Sequence, residues 1–514
     1  MANLSCIFVQ NFIILLHNIS FRLRFLGIIL FFVSLNLSAA THFAYSDNVK
    51  NAYAQICNLS FEKARNYLQN EEQQNPNNLL PLLCYNYIDF YTAVLSETTE
   101  NLEKLNANAE KRLAILDKNA SQNDPYYLYA RGEIELQVAL ARLKLAQYNK
   151  GFWQMRRAYI NLHDNAEKFP EFMPTYKSLG VMNALIETVP DSYQWGLKIL
   201  GFSGNYAAGI KQLENFIAWS KQNKEVFLAE AIWARTYFYI YLDNDYALAQ
   251  QMIRNEIPLH QSILADFLAA DIAYRTGNAD EALAILSHVS PQNEVQFPYL
   301  KLFLGSLYLY KQDLSQAKIY LQDYANSFEG KNYIKDAWQK IAWIYCLQNN
   351  ETAYFGAMKN CKNIGAALVD TDKQAQRNAE SEVFPNAILL KTQLLFDGGY
   401  LAEAKRTLQT FTLTNAAQEQ IWEYYYRMGR IYDNMQDYNA AIKYYKQLTA
   451  MNNYETSYYF APKACLQMGL IYEKQKNEAA ALAAFKECLR YTHHVYKNSI
   501  DQQAKAGISR LMSN

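Results

Sequence analysis

Glycine and proline are scarce in this 514-residue chain, at 18 and 11 residues, against usual shares of about 7% and 5%. So little glycine argues against a large α/β enzyme, whose tight strand-to-helix turns draw on it. The shortage of both argues against a β-sandwich or barrel, which needs them at its hairpins. Strand-like alternation is missing over any useful length. An excess of one charge is missing too: Lys+Arg and Asp+Glu both number 49. With no basic surplus to neutralise a phosphate backbone, nucleic acid is not the expected partner. Cysteines never stand in CxxC spacing, and Cys57, Cys84, Cys346, Cys361, Cys465 and Cys488 have no histidine in a zinc-like pattern. They read as small core residues. Disorder is excluded by 51% hydrophobic against 19% charged residues. What is abundant is tyrosine, 41 residues, with Phe 26 and Trp 7. The composition predicts a helical chain packed with aromatic rings.

The first forty residues read as an export signal. Arg22 and Arg24 precede the apolar stretch 25–33, and Ser38-Ala39-Ala40 supply a small-residue exit. The apolar core is short of the ~20 residues of a membrane span. Residues 1–40 are expected to be a secretory signal, with membrane contact through residues 25–40 only if it stays uncleaved. No cysteine follows the small residues, so bacterial lipid attachment is not expected. The expected location is the periplasm or envelope.

Repeats appear from the C-terminal end backwards. Tyr425-x-x-Met428-Gly429-x-x-Tyr432 is followed by Ala441, Tyr445 and Leu448. Forty residues on, Cys465-x-x-Met468-Gly469-x-x-Tyr472 is followed by Ala481, Phe485 and Cys488, at the same offsets. Positions i, i+3, i+4 and i+7 make one stripe of a first helix, and the glycine lets a second helix approach. Leu304-Gly305 and Tyr308 pair with Ala317, Leu321 and Tyr324. Ile388, Thr392 and Leu395 pair with Ala404, Leu408 and Phe411. Ala270 and Ala273 pair with Ala282, Leu286 and Val289, with Pro291 ending that helix. Trp338, Ile341, Ala342 and Tyr345 make a first helix whose partner, Ala353 to Met358, reads one residue short of register. Ala64, Leu68 and Pro76, then Ala158, Leu162 and Pro170, fit second helices with their terminating prolines. Tyr176-x-x-Leu179-Gly180 opens another first helix, and Tyr126 to Ala146 has helical periodicity.

This pattern resembles the tetratricopeptide repeat, large-x2-Leu-Gly-x2-Tyr followed by Ala and Phe. The resemblance implies an all-α solenoid of helix-turn-helix repeats, continuous through a divergent part (41–260) and a clearer part (261–514). Two interruptions stand out, 184–209 and 370–385. Gly201-Phe202-Ser203-Gly204 with Gly209 and Leu213, and Lys373, Arg377 and Pro385, resemble a eukaryotic tetratricopeptide-repeat family that includes the fungal inclusion-body-clearance proteins. That resemblance implies an adaptor-like, non-catalytic role. In composition the secreted, Asn-, Lys- and Tyr-rich array is similar to envelope proteins of Bacteroidetes-type bacteria.

The sequence carries no catalytic constellation. Residues 201–205, GFSGN, lack the last glycine of a nucleophile elbow and the GK[ST] of a phosphate loop. His493 and His494 are adjacent and would diverge on a helix, and His163, His260 and His288 are isolated in sequence. Glu133 and Glu135 face different ways on a helix, and Glu71-Glu72 reads as a solvated face. No metal, cofactor or enzymatic activity is expected.

In a tetratricopeptide solenoid the first helices line the concave face, with groove residues between the packing positions. Those are Leu302, Ser306, Leu309 and Tyr310; Gln339 and Trp343; Tyr426, Arg430, Asp433 and Asn434; Lys463, Leu470, Glu473 and Lys474. Tyrosine, tryptophan and arginine anchor interfaces. The carboxylate-clamp version of the fold would place Lys and Asn where Tyr426 and Arg430 stand, so no such clamp is expected. The function implied is a scaffold that binds a protein or peptide partner. The alternative is a glycan-binding helical protein of the SusD type, since sugar rings stack on aromatic faces.

Overall fold

The computed structural model describes residues 41–187, 204–257, 260 and 262–512. The signal-like residues 1–40 and Gly201-Phe202-Ser203 lie outside the described residues.

Among the described residues the chain is helical, with one isolated β-bridge, His42 to Asn78. The helices pack as consecutive antiparallel pairs. These are α1 (Asp47–Cys57) with α2 (Phe61–Gln74), α3 (Leu80–Ser96) with α4 (Thr99–Asn119), and α5 (Pro125–Lys144) with α6 (Tyr148–Lys168). Then come α7 (Pro174–Glu187) with α8 (Tyr206–Asn223), α9 (Leu228–Phe238) with α10 (Tyr246–Glu256), and α11 (Ile263–Arg275) with α12 (Ala279–Ile285). After the short α13 (Pro291–Gln296) follow α14 (Tyr299–Tyr310) with α15 (Leu314–Ser327) and α16 (Ile334–Leu347) with α17 (Glu351–Asn363). The unpaired α18 (Asp370–Glu380) precedes α19 (Ala387–Asp397) with α20 (Leu401–Gln409), α21 (Gln418–Asn434) with α22 (Tyr438–Ala450), α23 (Phe460–Lys474) with α24 (Glu478–Cys488), and the final α25 (Lys497–Met512).

One turn chemistry recurs between the two helices of a pair. Asn244, Gln312, Asn349, Gln436 and Lys476 each take left-handed backbone, which ends the first helix. The next residue is always Asp or Asn. The side chains of Asp245, Asp313, Asn350, Asp437 and Asn477 accept the N–H three residues on, at 3.0–3.2 Å, and so start the second helix. A Cβ on Gly429 would lie 2.3 Å from the Tyr445 ring, and one on Gly469 would lie 2.4 Å from Phe485. The aromatic four residues beyond the alanine therefore sits directly over the glycine.

Three expectations are corrected. The second helix after Ala342 keeps its register: Tyr354, Met358 and Cys361 are buried at the expected offsets, a tyrosine standing where other repeats carry alanine. Pro291 does not merely end a helix. It opens α13, whose Ser290 and Asn293 form a reciprocal cap. Glu71 is fully buried, not solvated. It accepts from Ser46 Oγ at 2.5 Å and Asn78 Nδ2 at 2.8 Å, and so pins the N-terminal segment onto α2. Burial opposes its ionisation, and these donors overcome that and hold its pKa below the usual range.

Distant pairs also touch. Ser262 Oγ donates to Cys57 O (3.1 Å), Glu97 accepts from Asn332 N (3.1 Å), and Ala279 N donates to Gly398 O (3.2 Å). At that last seam two left-handed glycines meet, and a Cβ on Gly399 would overlap Gly277 O at 1.7 Å. The six cysteines from Cys57 to Cys488 are buried and free.

Candidate binding groove

A concavity in the C-terminal half encloses about 450 Å³ between α16, α18, α19, α21 and the segments that lead into α23 and α25. One wall is a chain of amides. Tyr496 OH donates to Gln374 Oε1 (2.6 Å), Gln374 Nε2 to Asn378 Oδ1 (2.7 Å), and Asn378 Nδ2 to Gln339 Oε1 (3.2 Å). On the facing wall Arg427 donates to Glu423 (2.7 Å) and to Gln393 (2.8 Å). Aromatic rings fill the space between: Trp343, Phe384, Tyr458 and Tyr459. Tyr459 packs edge-on against both Tyr426 (5.6 Å, 83°) and Tyr496 (5.5 Å, 82°).

The groove continues past Tyr459 into a smaller pocket with Gln393, Phe396, Asp397, Tyr426 and Arg430. Arg430 lies over the Phe396 ring at 5.2 Å and donates to Tyr426 OH at 3.3 Å, and its buried Nε has no hydrogen-bond partner. Burial raises the Asp397 carboxyl to about 6, against the pull of Arg427 and Arg430. Beyond Arg430 lies a polar basin with Asp433, Asn434 and Lys474.

Six of the eight sequence candidates line one or another of these three hollows: Trp343 the first, Tyr426 (itself buried) and Arg430 the second, and Arg430, Asp433, Asn434 and Lys474 the third. Tyr310 does not. It is buried and stacked on Tyr274 of α11 at 5.5 Å, with the α19–α20 turn lying over it. Leu302, Ser306 and Leu309 are buried as well, because neighbouring helices cover this face of α14. Lys463 turns to Gln503 of α25, at 3.4 Å. Gln374, Asn378, Tyr458, Tyr459 and Tyr496 were not anticipated. They sit on α18 or in connections between pairs, where the repeat pattern assigns no position.

A second polar cluster is closed off in the N-terminal half. Lys177, 2% exposed, donates to Glu133 (3.0 Å), Glu230 (2.8 Å) and Tyr87 OH (3.0 Å), and its Nζ lies 4.8 Å from the Phe227 ring centre. Burial pushes the Lys177 ammonium down, and the two carboxylates push it up by more. Glu135 instead faces Gln154 and Arg157, so Glu133 and Glu135 do serve different partners.

The chain is an all-α solenoid of tetratricopeptide-type helix pairs. Residues 423–454 and 462–492 match the tetratricopeptide repeat family. No curated protein matches the sequence. Among solved structures it is similar to the P58(IPK) TPR domain (13% identity, 80% of this chain and 96% of that chain, TM-score 0.23). It is also similar to yeast Tom70 (12%, 91% and 96%, TM-score 0.29) and to the human IFIT1 dimer with m7Gppp-AAAA (14%, 92% and 91%, TM-score 0.26).

Proposed function

We propose that this chain is a non-catalytic scaffold that holds an extended segment of a partner protein in its C-terminal groove. The lining of that groove carries the reading: a hydrogen-bonded row of amides opposite Arg427, with Trp343, Tyr458 and Tyr459 between them. An extended peptide exposes backbone N–H and C=O groups that amide side chains can satisfy, and apolar side chains that stack on the rings. Aromatic residues and arginine in a concave, partly dry setting are the usual anchors of such interfaces. A photo-crosslinking residue at Gln374 or Ser381 is expected to capture a polypeptide in the cells that make the protein. The same residue at Lys446 on α22 should not. Capture from Lys446 alone would overturn the reading. Glycan recovered from the groove positions would instead support the sugar-binding alternative.

The same reading places the groove outside the cytoplasm, on the signal-like residues 1–40. Amino-terminal sequencing that starts near Thr41 supports it, and an intact cytosolic protein starting at Met1 refutes it.

A further inference from the structure

His260 and His288 are 28 residues apart in sequence, yet their rings meet. His260 Nδ1 lies 3.3 Å from His288 Nε2, and the ring centres are 4.1 Å apart. Beneath them is Asp266, in the first turn of α11 and 1% exposed. Its Oδ2 is 2.9 Å from His288 Nε2, and its Oδ1 is 3.9 Å from His260 Nδ1. Oδ1 also accepts the backbone N–H of His260 at 2.8 Å, which fixes that residue beside the carboxylate.

We propose that His260, His288 and Asp266 form a site for a borderline divalent transition metal, zinc above all. Three arguments converge on it. The first is the donor set: two imidazole nitrogens and one carboxylate suit zinc, with a fourth position left open. The second is geometry. Tetrahedral zinc with bonds of about 2.0–2.1 Å spaces its ligands about 3.3 Å apart; His288 Nε2 is 3.3 Å from His260 Nδ1 and 2.9 Å from Asp266 Oδ2, and one ligand atom from each of the three residues lies within 4.8 Å of the other two. The third is charge. A buried carboxylate needs a cationic partner. Among the described residues the ion-pair partners of Asp266 are these two imidazoles, and no lysine or arginine. Protonating both rings would set like charges in contact. One divalent ion neutralises the carboxylate while both rings stay neutral.

The site also ties a joint. His260 precedes α11, and His288 closes the 3-10 turn after α12. Two residues past His260, Ser262 donates to Cys57 O, and Ile263 N donates to Asn58 Oδ1 at 3.3 Å. Metal binding would therefore clamp the α11–α12 pair where it is seated on the first pair. The other group of close donors, His163, Asp164 and Glu167, is wholly exposed and has no buried ligand. It supplies a control.

The test uses the untagged full chain, stripped with a chelator and titrated with ZnCl2 by calorimetry, with Co2+ absorption as a second readout. One equivalent is expected to bind, with affinity reduced at least tenfold in His288→Ala and in His260→Ala, and unchanged in His163→Ala. Cobalt should give a tetrahedral visible band that both variants lose. His260 is an exposed loop ring, so its removal leaves folding intact even if His288→Ala does not, and circular dichroism checks both. No zinc binding by the parent chain, or equal binding by the His260→Ala/His288→Ala double variant, would overturn the proposal.

Discussion

Replacing Lys177 by methionine keeps the length and apolar body of the side chain but removes the one charge that Glu133 and Glu230 share. Breaking a buried ion pair from one side costs about 3–5 kcal/mol, because the remaining charge is left without compensation. A second route gives a similar figure. If the variant folds by keeping one glutamate protonated, holding a carboxyl of ordinary pKa near 4.3 neutral at pH 7 costs about 3.7 kcal/mol. Glu230 keeps 27% of its side chain exposed, so water screens part of the effect and the lower end, about 3 kcal/mol, is expected. The sign with pH follows. The folded variant binds a proton that the unfolded chain releases, so its deficit shrinks as pH falls, by about 1.4 kcal/mol per unit. By pH 5 it should have fallen to a few tenths of a kcal/mol, about 0.2–0.5. Urea melts of parent and variant between pH 5 and 7.5 measure this, with Lys177→Met/Glu133→Gln/Glu230→Gln as the compensated control. A deficit below 1 kcal/mol at pH 7, or one that does not change with pH, would refute the reasoning.

The glycines give opposite signs for one substitution. Gly209→Ala places a Cβ 2.5 Å from Gly180 O and Ala184 N and should cost about 1–3 kcal/mol in a thermal melt, whereas Gly356→Ala, with nothing within 4 Å, should stabilise by about 0.5–1 kcal/mol through helix propensity. Asp397 has its folded pKa raised to about 6, so the folded chain binds the extra proton. Relative to Asp397→Asn, the parent should lose stability as pH rises from 4 to 7, by about 1 kcal/mol once solvent access to the groove wall is allowed for. The thiols should be inert: burial pushes Cys84, Cys361 and Cys488 up to about 12 and Cys346 to about 11. Bimane labelling of the folded chain at pH 8 should therefore leave these cysteines unmodified until denaturant is added.

Local signals were legible in the sequence. The glycine of a first helix, the alanine twelve residues on and the aromatic four beyond that mark a crossing that sterics enforce, as at Gly429, Ala441 and Tyr445. The register at Tyr354 is masked in the sequence because a tyrosine occupies the alanine position. Long-range packing was not legible. Tyr310 occupies a groove position within its own repeat, but Tyr274 and the α19–α20 turn cover it. Glu71 looked solvated until Ser46 and Asn78 were brought to it. The same holds for the groove: Trp343 and Tyr426 follow from the repeat, while Tyr459 and Tyr496 lie in connections whose placement depends on how successive pairs coil.

Peptide capture in that groove is the claim on which the account stands, and a display selection of short random peptides against the full chain tests it most directly. Selected peptides are then titrated by fluorescence anisotropy against the parent chain and against Trp343→Ala/Tyr459→Ala. The account predicts at least a tenfold weaker affinity for the double variant, with its circular dichroism unchanged. Peptides that bind parent and double variant equally, or a selection that enriches none, would contradict it.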